Sequence, residues 1–361
     1  MIRFFAVKDA VKQKHIPTGL HQKTAAHSMS KNGCYPNIES VHATASDMTR
    51  GDERTSQNGL SKDMHANDTR TKRPLVVIVG AGSKHGGSVT NTSRDSDNPD
   101  SNENRWGLGG GLPLPFAAKG YDIALMGRRM EVLFDIKTAV EAVHQNNGHG
   151  GTSMVQCVPC DVTDDKSVEK AFDSITNVAA GDTTYYIDLV IFNVAPPYPR
   201  NFRFEGWGDV LLPHQIDTSD MNLQVDTQVN GLIRISRQVM PGMIERRRGC
   251  ILLSGESCTN LHGGFEFGSV SPARAALRSL AQSMFQAYGP MGVHVCNINI
   301  GGIIDSPKTR QWASCDGRME LVKPEEIAEQ FLNTYLQKRT VWSYEINLTP
   351  SFAARKVNMR M

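Results

Sequence analysis

No stretch of this 361-residue chain is apolar for long enough to span a bilayer. Its apolar runs, such as Pro74–Val79 and the Leu189–Val194 stretch broken by Asn193, are strand-sized, whereas a membrane helix needs ~20 residues. Nor does one sign of charge dominate. The 39 Lys and Arg face 37 Asp and Glu, a formal +2, so net charge gives no argument for nucleic acid or an acidic partner. The seven cysteines, an odd number at 34, 157, 160, 250, 258, 296 and 315, do not read as a disulfide framework. A reducing compartment is expected, and a disulfide-stapled secreted domain is excluded. A secretory signal is not expected either, because an apolar core of about 7–15 residues is missing near the start. There is no internal repeat.

Apolar side chains are few in residues 1–73, which are rich in Ser, Thr, Asn, His and Lys. Such a segment cannot bury enough surface to offset its ordering entropy and is expected to be a disordered tail. Its first 38 residues carry Arg3, Lys8, Lys12, Lys14, Lys23 and Lys31 against one acid, Asp9. Ile2, Phe5, Val7 and Val11 lie beside that basic stripe, as in a mitochondrial transit segment. A basic cytoplasmic tail fits equally, so both compartments stay open. A second polar island, 84–106, has Val89 and Trp106 as its only sizeable apolar members and reads as an inserted surface loop. Residues 351–361 read as a short C-terminal tail.

What remains alternates strand and helix patterns. Strand-like runs are Leu75–Gly80, Tyr121–Met126, Ser153–Val158, Ile187–Asn193, Cys250–Ser254, His294–Ile300 and Val341–Ile346. Several are continuous Val/Ile/Leu runs, as expected of parallel strands covered on both faces. Between them lie helix-like stretches at Arg129–His144, Lys166–Asn177, Met221–Arg247, Ser271–Tyr288 and Pro324–Gln337. The last has Pro at its first position and acids in its first turn. Alternating strands and helices predict an α/β fold: one doubly wound Rossmann domain with a parallel sheet, over 74–350.

Chemistry enters at the glycines after the first strand. Val79-Gly80-Ala81-Gly82-Ser83 leads into the insert, and Gly107-Leu108-Gly109 resumes after it. With the insert set aside, the turn reads Gly-Ala-Gly-Ser-Gly-Leu-Gly. Backbone amides in such a turn can approach a pyrophosphate because no Cβ intervenes; a tight turn with a flexible loop is the plainer alternative. Arg128 follows Gly127 at the end of the second strand, where Arg accommodates a 2′-phosphate, so NADP(H) is favoured over NAD(H). The plainer role for Arg128 is a basic cap on the next helix. Asp161 and Val162 follow the third strand, where Asp161 meets an adenine or caps the helix after it. Pro113 and Pro115 fall where the first helix should run, so that helix is expected to begin late, near Leu112, with its amides displaced.

These motifs together resemble the short-chain dehydrogenase/reductase family, over about 74–350. Gly80…Gly107-Leu108-Gly109 resembles its cofactor turn and Asp161-Val162 its adenine-contact pair. Asn193-Val194-Ala195 stands where the family has Asn-Ala-Gly, and Gly301-Gly302 replaces its Pro-Gly. Asp305-Ser306-Pro307 resembles its nicotinamide-side threonine region, and Ala276–Ser283 the helix after the catalytic Tyr and Lys. The resemblance implies cofactor contacts at Gly80, Gly82, Ser83, Gly107, Gly109, Arg128, Asp161, Val162, Asn193 and Gly302, and no metal. It also implies a homo-oligomer paired through the helices at 221–247 and 271–288, and a small-molecule carbonyl or alcohol substrate.

The catalytic positions depart from that pattern. The family uses a Tyr as proton donor or acceptor, a Lys four residues on, a Ser thirteen before the Tyr, and an Asn on the preceding helix. Here Val270 stands for the Tyr, Arg274 for the Lys and Gln228 for the Asn, and Ser257 is kept. Val270 cannot titrate, and Arg cannot deprotonate. Residues 262–275 contain no Tyr; His262, Glu266 and Tyr198 are nearby in sequence but read better as solvated loop residues. Cys157-Val158-Pro159-Cys160 has no second pair for zinc, and its thiols, on opposite strand faces, are expected to be buried. The run Glu245-Arg246-Arg247-Arg248 is expected to complement a helix dipole rather than bind RNA. Two functions follow: an NADP(H)-linked oxidoreductase with altered proton transfer, or an inactive relative kept as a binding or assembly subunit. Neither membrane nor nucleic acid is an expected partner; the tail or insert could hold a protein one.

Overall fold

The computed structural model describes residues 71–82, 106–176, 183–196, 211–256, 267–306, 309–310 and 320–351. Residues 1–70, the insert apart from Trp106, Ser83, Tyr198, Ser257, His262, Glu266 and the chain after Ser351 lie outside the described residues. The runs of Val, Ile and Leu become β1 (Thr71–Val79), β2 (Asp122–Gly127), β3 (Val155–Pro159), β4 (Thr183–Phe192), β5 (Gly249–Glu256), β6 (Val293–Ile300) and β7 (Glu345–Leu348). All pair in parallel, in the order β3-β2-β1-β4-β5-β6-β7. The order reverses between β1 and β4, which opens a crevice at the carboxyl ends of those strands.

Alternation along each strand feeds two separate cores. In β1, Leu75, Val77 and Val79 join one cluster and Val76 and Ile78 the other. The first cluster is closed by α4 (Asp165–Thr176), α6 (Gly231–Glu245) and α7 (Ser271–Tyr288). The second is closed by α1 (Leu108–Gly111), α2 (Leu114–Ala118), α3 (Met130–Asn146) and α8 (Pro324–Tyr335). In α4 the buried Val168, Ala171, Phe172 and Ile175 recur at i, i+3, i+4 and i+7, a stripe one face can bury. Each fully buried aliphatic or Phe side chain contributes about 1.5–3 kcal/mol. Cys157 packs with the second cluster and Cys160 belongs to the first, so the two thiols face opposite sides of the sheet. Burial pushes the Cys160 thiol up to about 12.

Four expectations are corrected. First, β1 begins at Thr71, inside the polar segment. Arg73 can start a strand because its Nε pairs with Asp122 Oδ2 at 2.8 Å and its Nη1 donates to the Thr152 carbonyl at 2.6 Å. Second, the first helix does not begin near Leu112. Leu108 starts α1 immediately after Gly107, and a second segment, α2, begins at Leu114. Pro113 precedes α2 and Pro115 lies in its first turn, where a missing N–H costs no helical bond. Third, the stretch 221–247 is three pieces: α5 (Thr218–Val225), a π-turn (Asp226–Asn230) and α6. Fourth, β7 starts at Glu345 because Arg339–Val341 forms a 3-10 turn that aims Trp342 inward.

The basic run at 246–248 has tertiary partners beyond any helix dipole. Arg246 donates to the Ile187 carbonyl and lies over the Tyr186 ring. Arg248 grips the buried Asp188 with two nitrogens, at 2.9 to 3.2 Å, and Tyr335 donates to the same carboxylate at 2.7 Å. Trp106, assigned by composition to the insert, is buried in the second core.

His294, at the start of β6, holds the approach to β7. Its ring stacks on Trp342 with centroids 4.8 Å apart and planes 1° from parallel. Nε2 donates to the Ser343 carbonyl at 2.8 Å, which fixes the neutral tautomer. Nδ1 is buried without a partner. Burial pulls the His294 pKa below its usual range, only partly opposed by the Ser343 carbonyl. The neutral form is therefore the folded form, and its contribution is present above the unfolded pKa near ~6.5 and lost below it. The unfolding free energy from urea titrations is expected to fall as pH drops from about 7.5 to 5, by up to about 1.4 kcal/mol per pH unit. His294→Phe is expected to flatten that dependence.

Candidate functional site

At the β1–β4 reversal the chain closes a glycine turn from both sides of the insert. Gly80 sits at φ +86° and Gly107 at φ +68°, conformations that side chains resist. Gly80 and Ala81 both donate to the Met126 carbonyl, at 2.9 and 3.0 Å. A Cβ on Gly109 would lie 2.2 Å from the Gly82 carbonyl oxygen and 2.8 Å from that of Gly80. Residues 80–82 and 107–109 are thus one backbone-on-backbone turn, and α1 leaves it directly. Gly107 faces elsewhere: a Cβ there would meet Ser306 Cβ at 3.2 Å. Gly302 is closed off by packing, since a Cβ would meet Val322 Cγ2 at 2.5 Å.

Asn193, just past β4, braces this turn. Its amide donates to the Val79 carbonyl at 2.9 Å, and its Nδ2 donates to the Gly80 carbonyl at 3.2 Å. A Cβ on Gly80 would strike the Asn193 carbonyl at 2.5 Å. Asn193 Oδ1 in turn accepts from Ser254 Oγ at 2.8 Å, which links the turn to β5.

On the other flank, Arg128 is exposed after β2. Asp161 follows β3 and folds on itself: its Oδ1 accepts from the Thr163 amide at 3.0 Å and hydroxyl at 2.7 Å. The helix after it is capped instead by Asp164, whose Oδ1 accepts from the Lys166 amide. Partial burial opposes the Asp161 charge. The Thr163 hydrogen bonds and the nearby Arg128 and Arg234 charges outweigh it and hold the carboxyl below the usual range. An anionic Asp161 and the exposed Arg128 therefore lie just past the carboxyl ends of β3 and β2.

The proton-transfer positions are differently arranged. Val270 is 2% exposed and precedes α7. Arg274, also buried, sends Nη1 to the Ser254 carbonyl and Nη2 to Glu256 Oε1, both at 3.3 Å. Gln228 is fully buried in the π-turn, where Nε2 donates to Gln224 Oε1 at 2.9 Å and its own Oε1 has no partner. Ser257 lies outside the described residues, so the four positions are not all visible together. Two contributors were missed in the sequence reading, Ser254 and Glu256. Glu256 is the sole acid between Glu245 and Glu266, the one available signal that a buried Arg274 has a counter-charge there.

Comparison with known proteins bears on the family and the fold. The model of the short chain dehydrogenase family matches residues 105–314. Oxidoreductase UcpA of Salmonella typhimurium is 23% identical over 201 residues, which cover 56% of this chain and 66% of that protein. The very-long-chain 3-oxoacyl-CoA reductase of Mycosarcoma maydis is 22% identical over 151 residues, 41% of this chain and 37% of that one. The chain thus spans just under two thirds of UcpA. Among solved structures, an NADPH-bound short chain oxidoreductase of Pseudomonas aeruginosa PAO1 containing an atypical catalytic center has a TM-score of 0.58. It is 17% identical, covering 77% of this chain and 95% of that one. L-Sorbose reductase from Gluconobacter frateurii, complexed with NADPH and L-sorbose, has a TM-score of 0.57. It is 18% identical, covering 78% and 97%. At these identities the likeness is one of fold.

Gly109→Ala forces a methyl against two carbonyls that cannot move independently. It is expected to cost roughly 1–3 kcal/mol in denaturant unfolding and to abolish dinucleotide binding measured by calorimetry.

Proposed function

The chain belongs to the short-chain dehydrogenase family, and from that premise we propose that it binds NADP(H) across the carboxyl edge of its sheet. Its proposed chemistry is oxidoreduction of a carbonyl or alcohol substrate without the usual tyrosine. The closed turn of Gly80, Gly82 and Gly109, braced by Asn193, carries this reading. Its glycines let the two segments close backbone to backbone, and with the Gly80 and Ala81 amides held by the Met126 carbonyl, a pyrophosphate would take the remaining amides of the turn. Arg128 supports a 2′-phosphate over a free 2′-hydroxyl, with Asp161 and Val162 beside the adenine. Ser83 and Gly107 complete the contacts implied by the family pattern, and Gly302 contributes through the packing of the loop it begins. The cofactor, when bound, supplies the hydride. The protein supplies orientation, and the proton must come from a group other than Val270 or Arg274.

A second reading has its own observation. The Arg274 guanidinium is committed to Ser254 and Glu256, and Val270 has no ionisable group. That arrangement suits a cofactor-binding subunit without turnover. Among the described residues no helix is long and apolar enough to cross a membrane. Pairing of two copies through α5, α6 and α7 is part of the same family-based proposal.

Titration of NADPH and NADH into the full chain tests the first reading. NADPH is expected to bind more tightly, and Arg128→Gln to weaken NADPH about tenfold while leaving NADH unchanged. Equal binding of both nucleotides would remove Arg128 from the 2′-phosphate; binding of neither would overturn the reading. The second reading predicts no carbonyl-dependent oxidation of NADPH by the natural chain. It also predicts that Val270→Tyr combined with Arg274→Lys creates such activity. Turnover by the unmodified chain across a carbonyl panel would rule the second reading out.

A further inference from the structure

Arg234, in the first turn of α6, has a side chain only 15% exposed and partners on three segments. Nε donates to Asp165 Oδ2 at 3.2 Å, at the start of α4. Nη1 donates to the Val162 carbonyl at 3.1 Å and more weakly to the Asp226 carbonyl at 3.5 Å. Nη2 pairs with Asp226 Oδ1 at 3.0 Å, an oxygen that also accepts from Asn230 Nδ2 at 3.0 Å. One guanidinium thus joins Val162 and Asp165 to Asp226 at the start of the π-turn, and Asp226 in turn holds Asn230 at its end. Packing reinforces the link, for a Cβ on the adjoining Gly231 would lie 3.1 Å from Val162 Cγ2.

These contacts differ from an ordinary surface ion pair. The fork is multidentate, and the guanidinium is largely covered although Asp165 is exposed, so several planar donors act together to define its geometry. A π-turn carries one more residue than an α-turn and persists only where its surroundings hold it. Here it carries the buried Gln228, whose Oε1 is unpartnered. The guanidinium lies between that turn and the loop that bears Asp161 and Val162.

We infer that Arg234 is a positioning residue that couples the adenine-side loop to the π-turn carrying Gln228, so that a ligand on the loop stiffens the turn. The inference rests on the proposed assignment of Asp161 and Val162 to the adenine side. Coupling of this kind is reciprocal and needs no contact between Arg234 and the ligand.

The test titrates ADP, NADH and NADPH into the full chain and follows amide exchange at 226–230. In the natural chain ADP alone is expected to slow exchange across the π-turn. Arg234→Gln is expected to weaken all three nucleotides alike, about tenfold, unlike a 2′-phosphate contact. It should also erase the slowing at 226–230 while that at 161–163 persists with saturating ADP. Arg234→Lys is not expected to rescue, because one ammonium cannot fork. Asp226→Asn, which keeps the shape and removes a charge, should give a smaller loss and guards against a variant that fails to fold. If Arg234→Gln lowers only the melting temperature, with affinities and π-turn exchange unchanged, the residue is structural and the inference fails alone. If the natural chain binds no nucleotide, the proposed function and the inference fail together.

Discussion

Asn193 sits where the strand order reverses, and its hydrogen bonds set the geometry of both halves of the site. One side-chain nitrogen holds the Gly80 carbonyl and so the glycine turn; the side-chain oxygen holds Ser254 on β5. From Ser254 the network continues through its carbonyl to Arg274 and on to Glu256. The cofactor turn and the start of α7 are therefore two ends of one polar chain across the carboxyl edge of the sheet. A buried network of this kind is stable only when its members are satisfied. Arg274 meets that condition only in part: Glu256 is its counter-charge, without which a buried guanidinium would be costly, while its Nε is buried with no partner.

That arrangement explains how the two halves can diverge. The turn depends on backbone approach, which glycines preserve whatever happens to the proton-transfer residues. Proton transfer depends on groups that ionise near neutrality, and neither a valine nor an arginine does so. Replacing Lys by Arg keeps a positive charge beneath the site but removes the ability to shuttle a proton. On the reading proposed above, the family's fold survives around a centre whose acid–base chemistry has changed.

Much of this was legible in the residues. The Val/Ile/Leu runs gave the parallel sheet because strands covered on both faces have no polar alternation. The glycine turn was readable across the insert because strand, glycines and helix follow in order. Other features depended on distant partners. Arg274 and Glu256 are separated by 18 residues, and His294 and Trp342 by 48, spacings that no periodicity marks. Pro113 and Pro115 suggested a late helix, yet they end one helical turn and begin another, leaving Leu108 free to follow Gly107. The π-turn was hidden because an amphipathic pattern over 221–247 fits an unbroken helix nearly as well. The partners of Arg234, namely Asp165, Val162 and Asp226, lie 69, 72 and 8 residues away, spacings that no helical periodicity marks.

The central claim is that the cofactor half of the site is kept while the family's proton-transfer half is not. A crystal structure of the full chain grown with NADPH tests it most directly. The account predicts pyrophosphate density over the Gly80–Gly109 turn, with Val270 and the Arg274–Glu256 pair beneath the nicotinamide and no tyrosine or lysine within hydrogen-bond reach of its exposed face. An empty turn, or a tyrosine or lysine brought to that face from elsewhere in the chain, would contradict it.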